Sequence, residues 1–139
     1  METQSVTLDG SNPVSPGDKT TIPDGMRVYI SQGGSLTITG QIHNQGAIYG
    51  TVTISGTGGN LENGTDGADN TGVYLKSCVL KDGGSINKRG TIERGEVVKG
   101  VLYNFGTVKD GKVSGGTYYN DADSISAVVE ITGSTVYNM

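Results

Sequence analysis

Residues 84–120 read GSINKRGTIERGEVVK, GVLYNFGTVKDGKVSG and GTYYN when cut every 16 residues. The blocks lie over one another. Gly84, Gly100 and Gly116 coincide, as do Ile86, Leu102 and Tyr118, Gly90 and Gly106, Ile92 and Val108, Val97 and Val113. A short fixed period with few apolar residues per unit, punctuated by glycine, belongs to a solenoid. No single turn is long enough to bury a core, so successive turns must stack. Charges one period apart are complementary: Glu93 with Lys109, Arg94 with Asp110, Glu96 with Lys112. In a parallel stack each pair would stand about 4.8 Å apart along the axis. An exposed pair contributes only a few tenths of a kcal/mol, so the three act chiefly on register, since a slipped alignment loses them together.

The same period extends toward the N-terminus. Gly34–Gly40 (GSLTITG) lies over Gly50–Gly56 (GTVTISG), and Ile42-His43-Asn44-Gln45-Gly46 matches Leu102-Tyr103-Asn104-Phe105-Gly106. Leu-Thr-Ile-Thr alternation with β-branched residues reads as strand, and no segment carries a helical period. The expectation is an all-β chain, a parallel β-helix (β-solenoid) of about 16 residues per turn spanning 34–139. Residues 2–33 precede the clean repeat and are expected to cap the raw core and strand edge of the first turn. Residues 57–72, rich in Gly, Asn and Asp, read as a loop inserted between turns.

Composition fits a thin core. Of 139 residues, 33% are hydrophobic and 24 are glycine, yet no every-third-residue glycine marks collagen, and the periodic Ile, Val, Leu and Tyr argue against disorder. A net charge of -4 without a Lys/Arg cluster argues against nucleic acid as a partner. Cys78 is the single cysteine, so no disulfide forms within the chain. Met1 is followed by Glu-Thr-Gln-Ser, with no basic n-region and no apolar run. No stretch has the length of a membrane span. The expectation is either a protein that acts inside the cell or a piece of a larger exported protein.

Two columns stand out. Asn44, Asn104, Asn120 and Asn138 take equivalent places after short strands; asparagine tolerates left-handed backbone, and stacked amides bond along the axis as a ladder. Tyr103, Tyr119 and Tyr137 flank the expected core residues Leu102, Tyr118 and Val136, and alternation turns them outward as an exposed stripe.

Segments that run from G-G-[ST] to an Asn across one or two intervening residues, as in Gly83–Asn87 and Gly115–Asn120, resemble the strand-loop-strand repeats of AIDA-type autotransporter adhesins. The resemblance spans 34–56 and 73–138. It implies a right-handed parallel β-helix on the bacterial cell surface, taking part in adhesion, autoaggregation and biofilm formation. It implies no catalytic residues and no cofactor.

Each candidate site has a plain structural reading beside it. Catalysis on a β-helix needs clustered carboxylates in a groove; here the acids of the regular turns sit beside bases, and His43 takes the place of Tyr103, so no enzyme activity is expected. Asn63, Asp66 and Asp69 of the loop could contact a ligand, although their spacing matches no calcium motif, and no metal is assigned. Threonines stack only at Thr37/Thr53, too few for an ice-binding array. The expected function is a non-catalytic structural or adhesive module. It would self-associate or bind a host or bacterial surface glycan or protein through Tyr103, Tyr119, Tyr137 and the loop. A trimeric phage tail-fibre or tailspike module is the alternative, and a β-helical carbohydrate-active enzyme stands third.

Overall fold

The computed structural model describes residues 4–8, 10–14, 18–32, 34–56, 58–64, 72–81, 84–121, 125–132 and 135–138. Sixteen strands and no helix occupy them. They fall into successive rungs. The first holds β1 (Gln4–Leu8), β2 (Ser11–Val14) and β3 (Lys19–Ile22), and the second β4 (Met26–Ile30), β5 (Ser35–Ile38) and β6 (Gln41–Asn44). In later rungs the first two strands fuse into one. These rungs are β7 (Ala47–Ile54) with β8 (Asn60–Asn63), β9 (Tyr74–Leu80) with β10 (Gly84–Lys88), and β11 (Thr91–Val97) with β12 (Gly100–Asn104). β13 (Thr107–Val113) with β14 (Thr117–Asn120) and β15 (Ile125–Ile131) with β16 (Thr135–Asn138) complete the series.

Every rung pairs in parallel with the next. One sheet has nine strands, in the order β1-β4-β7-β9-β11-β13-β15 with β2 and β5 alongside; the other has seven, β3-β6-β8-β10-β12-β14-β16. The chain is a parallel β-solenoid. Its 16-residue spacing holds where the repeat is cleanest: Leu36 pairs with Val52, Gly84 with Gly100, Thr91 with Thr107 and Asn104 with Asn120. Other turns are longer, and the mean is roughly 19 residues. The segment 2–33 contributes β1 to β4 to the same two sheets, so its strands are rungs in register with the rest. The stretch 57–72 contains β8, so the inserted loop is shorter than the sequence implies.

The fused strands bend, and burial shows where. In β11, Ile92, Gly95 and Val97 face inward while Glu93 and Arg94, adjacent in sequence, both face out. Strict alternation would bury one of them. β9 and β13 break phase at the same place, at Lys76-Ser77 and Lys109-Asp110. The break turns the sheet around the core, so one strand walls two sides of it. On β7 the corner carries a further residue: Ile48 pairs with Leu75 and Thr51 with Ser77, leaving Tyr49 and Gly50 opposite Lys76 as a bulge. Gly50 has φ 131°, and a Cβ there would lie 2.6 Å from the Cβ of Ile30.

The core is a set of axial columns. Val28, Ile48, Leu75, Ile92 and Val108 form one, and Ile38, Ile54, Leu80, Val97 and Val113 another. From the opposite sheet come Ile42 and Leu61, then Leu102 and Tyr118. Val52, Cys78, Gly95 and Gly111 make a further column, of small residues in its later rungs. A narrow core of this kind needs no more than the modest hydrophobic content of the chain.

Candidate functional site

Side chains on a parallel stack repeat every rung, so whatever one strand displays becomes a row along the axis. Three rows carry the polar and aromatic chemistry.

The first is the asparagine column at the end of the seven-stranded sheet. Asn44, Asn63 and Asn104 have no exposed surface. Asn44 Nδ2 donates to Asn63 Oδ1 (2.8 Å) and to the Tyr74 carbonyl (3.1 Å), while Asn44 Oδ1 accepts from the Gly46 N–H (3.1 Å). Asn63 Nδ2 donates to the Thr91 carbonyl (3.3 Å). Asn104 repeats the arrangement, donating to Asn120 Oδ1 (3.2 Å) and accepting from the Gly106 N–H (3.1 Å). Each amide thus satisfies the main chain as it turns out of one sheet, which leaves no buried side-chain donor or acceptor unpaired among the described residues. Asn120 pairs in register with Asn138. Of the expected members, Asn104 bonds Asn120, whereas Asn44 bonds Asn63, read in sequence as a loop ligand, and Lys88 occupies the register position between Asn63 and Asn104.

The second row is aromatic. Tyr103 and Tyr119 stack with centroids 5.0 Å apart and planes 5° from parallel; Tyr119 and Tyr137 stack at 4.7 Å and 12°. Leu102 and Tyr118, their sequence neighbours, are fully buried, so the alternation is as expected. Because ring faces lie against one another, the row shows solvent its edges and phenolic hydroxyls. A second tyrosine row, on the nine-stranded sheet, was not visible in the repeat: Tyr29 stacks on Tyr49 (5.0 Å, 13°), and Tyr49 meets Tyr74 (5.4 Å, 38°). The spacing hides it, since Tyr29 and Tyr49 pair across a turn longer than 16 residues. Tyr74 OH donates to Glu93 Oε2 (3.4 Å); burial, then the Glu93 charge and this hydrogen bond, push the phenol above its ordinary value of 10.0.

The third row is the charged corner. Arg94 Nε lies 3.4 Å from Asp110 Oδ2 and Lys109 Nζ 3.6 Å from Glu93 Oε2. Glu96 and Lys112 are register partners on the same rungs. A shallow depression runs over this corner past Thr51 and Ser77, and its two acids are held by bases of the adjoining rung. His43 Nε2 donates to the Gly64 carbonyl (3.0 Å), which fixes the ring against the start of the inserted loop. Among the described residues no three or more His, Cys, Asp or Glu side chains converge as metal ligands, and no helix is long and apolar enough to cross a membrane. Asp66 and Asp69 lie outside the described residues.

No family model, no curated protein and no solved structure matches the chain.

Proposed function

We propose that this solenoid is a non-catalytic structural and adhesive module of a surface-exposed, autotransporter-like bacterial protein. It presents its faces to another copy or to a surface glycan or protein. The observation that carries the reading is the row Tyr103–Tyr119–Tyr137, stacked on a hydrogen-bonded sheet with its hydroxyl edge turned to solvent. Tyrosine offers a partner both apolar surface and a polar tip at little cost in side-chain entropy. The frame beneath is already ordered, so binding forfeits little conformational freedom. The acids of the charged corner are paired with Arg94 and Lys109, a setting for register and not for acid–base chemistry.

Two measurements test it. Light scattering across a wide concentration range should give a monomer, or a mass that rises smoothly with concentration. A three-chain mass persisting on dilution would instead support the tail-fibre reading. Beads coated with the protein should aggregate, and Tyr119→Ser should weaken that aggregation while the far-ultraviolet spectrum stays β. Aggregation unchanged by Tyr119→Ser and by Tyr103→Ser would remove the row from the function.

A further inference from the structure

The tyrosine row has a covalent consequence that lies beyond binding. Tyr103, Tyr119 and Tyr137 come from three successive rungs, yet adjacent rings stand 5.0 Å and 4.7 Å apart and nearly parallel. Tyr103 is 37% and Tyr137 47% exposed, so small oxidants reach both ends of the row. The chain has a single cysteine, and it is buried, so no disulfide within the chain links one rung to the next.

We infer that this row is a site of oxidative tyrosine cross-linking, in which Tyr119 couples to Tyr137 or Tyr103 of the same molecule and joins neighbouring rungs. One-electron oxidation of a phenol removes an electron and the phenolic proton, leaving a phenoxyl radical with spin on the ring carbons ortho to oxygen. Two such radicals on adjacent rings form one carbon–carbon bond between ortho carbons. Each of those carbons then gives up its hydrogen to solvent while the oxygen of the same ring takes one back, which restores two phenols. The pair loses two electrons and two protons overall. Hydrogen peroxide, acting through a peroxidase, accepts all four and leaves as two waters.

The frame supplies what this coupling lacks in free solution. Two radicals must coexist and meet, and holding both rings on one sheet makes the meeting intramolecular. Rotation about the two side-chain bonds of each outward tyrosine carries the rings from face-to-face to edge-to-edge. Tyr118, fully buried in the core, has no such access. Tyr29 and Tyr49 share the stacked geometry at 5.0 Å and serve as an internal comparison.

The test treats the full chain at low concentration with peroxidase and limiting peroxide. It follows dityrosine fluorescence, intact mass and mapped peptides. The expected product has single-chain mass less two hydrogens per link, with peptides holding Tyr119 joined to those holding Tyr137 or Tyr103 and none joined through Tyr118. Tyr119→Phe keeps the stacked ring but forms no phenoxyl radical, so those joined peptides should vanish. Unfolding in urea before oxidation should scatter the pairings. Links formed only between chains, the same pairings from urea-unfolded chain, single-chain yield unchanged by Tyr119→Phe, or no dityrosine while free tyrosine reacts would each overturn the assignment.

Discussion

Replacing Asn44 by alanine tests the ladder at a fully buried point. The wild-type amide makes three hydrogen bonds, to Asn63 Oδ1, to the Tyr74 carbonyl and from the Gly46 N–H. Truncation removes all three, at about 1 kcal/mol each, and leaves the Gly46 N–H buried without its acceptor, so the loss should reach about 3–5 kcal/mol. Set against a total stability of about 5–15 kcal/mol, that is a large fraction. Urea titration followed by circular dichroism should show a lower midpoint at unchanged slope. Amide exchange should quicken first at Gly46 and Tyr74, because a stacked repeat fails locally before it fails as a whole. Asn44→Asp sharpens the test. It keeps the shape but aims a carboxylate at two acceptors, so it should cost more than alanine near neutral pH and recover as acid protonates it. A loss below about 1 kcal/mol for alanine, or an aspartate variant no worse than alanine, would refute the ladder as a stabilising element.

Three further outcomes follow from the same fold. Gly95→Ala should stabilise by about 0.4–1 kcal/mol, because the added methyl would meet Ile92 Cγ2 at 3.6 Å and Cys78 Sγ at 3.8 Å, ordinary contacts in a column of small residues. Gly116→Ala should destabilise by more than about 1 kcal/mol, since φ is +75° and the methyl would strike the Gly100 carbonyl; paired urea midpoints check both signs. Tyr74 holds its proton more tightly folded than unfolded, so its contribution is present below pH 10.0 and is lost as pH rises through the higher folded value. Alkaline absorbance titration of Tyr74→Phe against wild type should show that late-ionising phenol disappear, and Glu93→Gln should move it back toward 10.0 without returning it fully, because burial is the larger cause.

The parts of the fold legible in sequence are those whose turns keep one length. From Gly84 to Asn120 each inward residue recurs after 16 positions, so Leu102 and Tyr118 could be placed inside and Tyr103 and Tyr119 outside from alternation alone. Glu93 and Lys109 could be paired from charge in the same way. Where turn length varies, the period fails although the stacking does not. Asn63 pairs with Asn44 after 19 residues, and its polar surroundings disguised a buried ladder position as a loop ligand. Doubling a loop costs only about 0.6 kcal/mol in closure entropy, so turns lengthen freely while register is kept by side-chain columns and main-chain bonds. A fixed-period comparison is blind to that freedom. For the same reason the row Tyr29–Tyr49–Tyr74 and the strands of the first rungs leave no trace in a 16-residue period.

The strand corners carry a second lesson. Glu93-Arg94 and Lys109-Asp110 are adjacent residues that both face solvent, where alternation predicts one in and one out. Two outward residues in a row mark the point at which a strand leaves one wall of the core for the next. Charge suits that point, because a corner spreads side chains apart and keeps them hydrated even as cross-rung pairs form. The flat walls suit the opposite chemistry. There the rung spacing of about 4.8 Å lies close to the separation of stacked rings, so tyrosine on a wall closes into a continuous row, as it does at Tyr103, Tyr119 and Tyr137. The face such a row offers is a line of hydroxyls at fixed pitch. Any partner must match that pitch along the axis or touch the line at one point, so a shift of one rung by insertion after Asn104 should impair binding even if each tyrosine is retained.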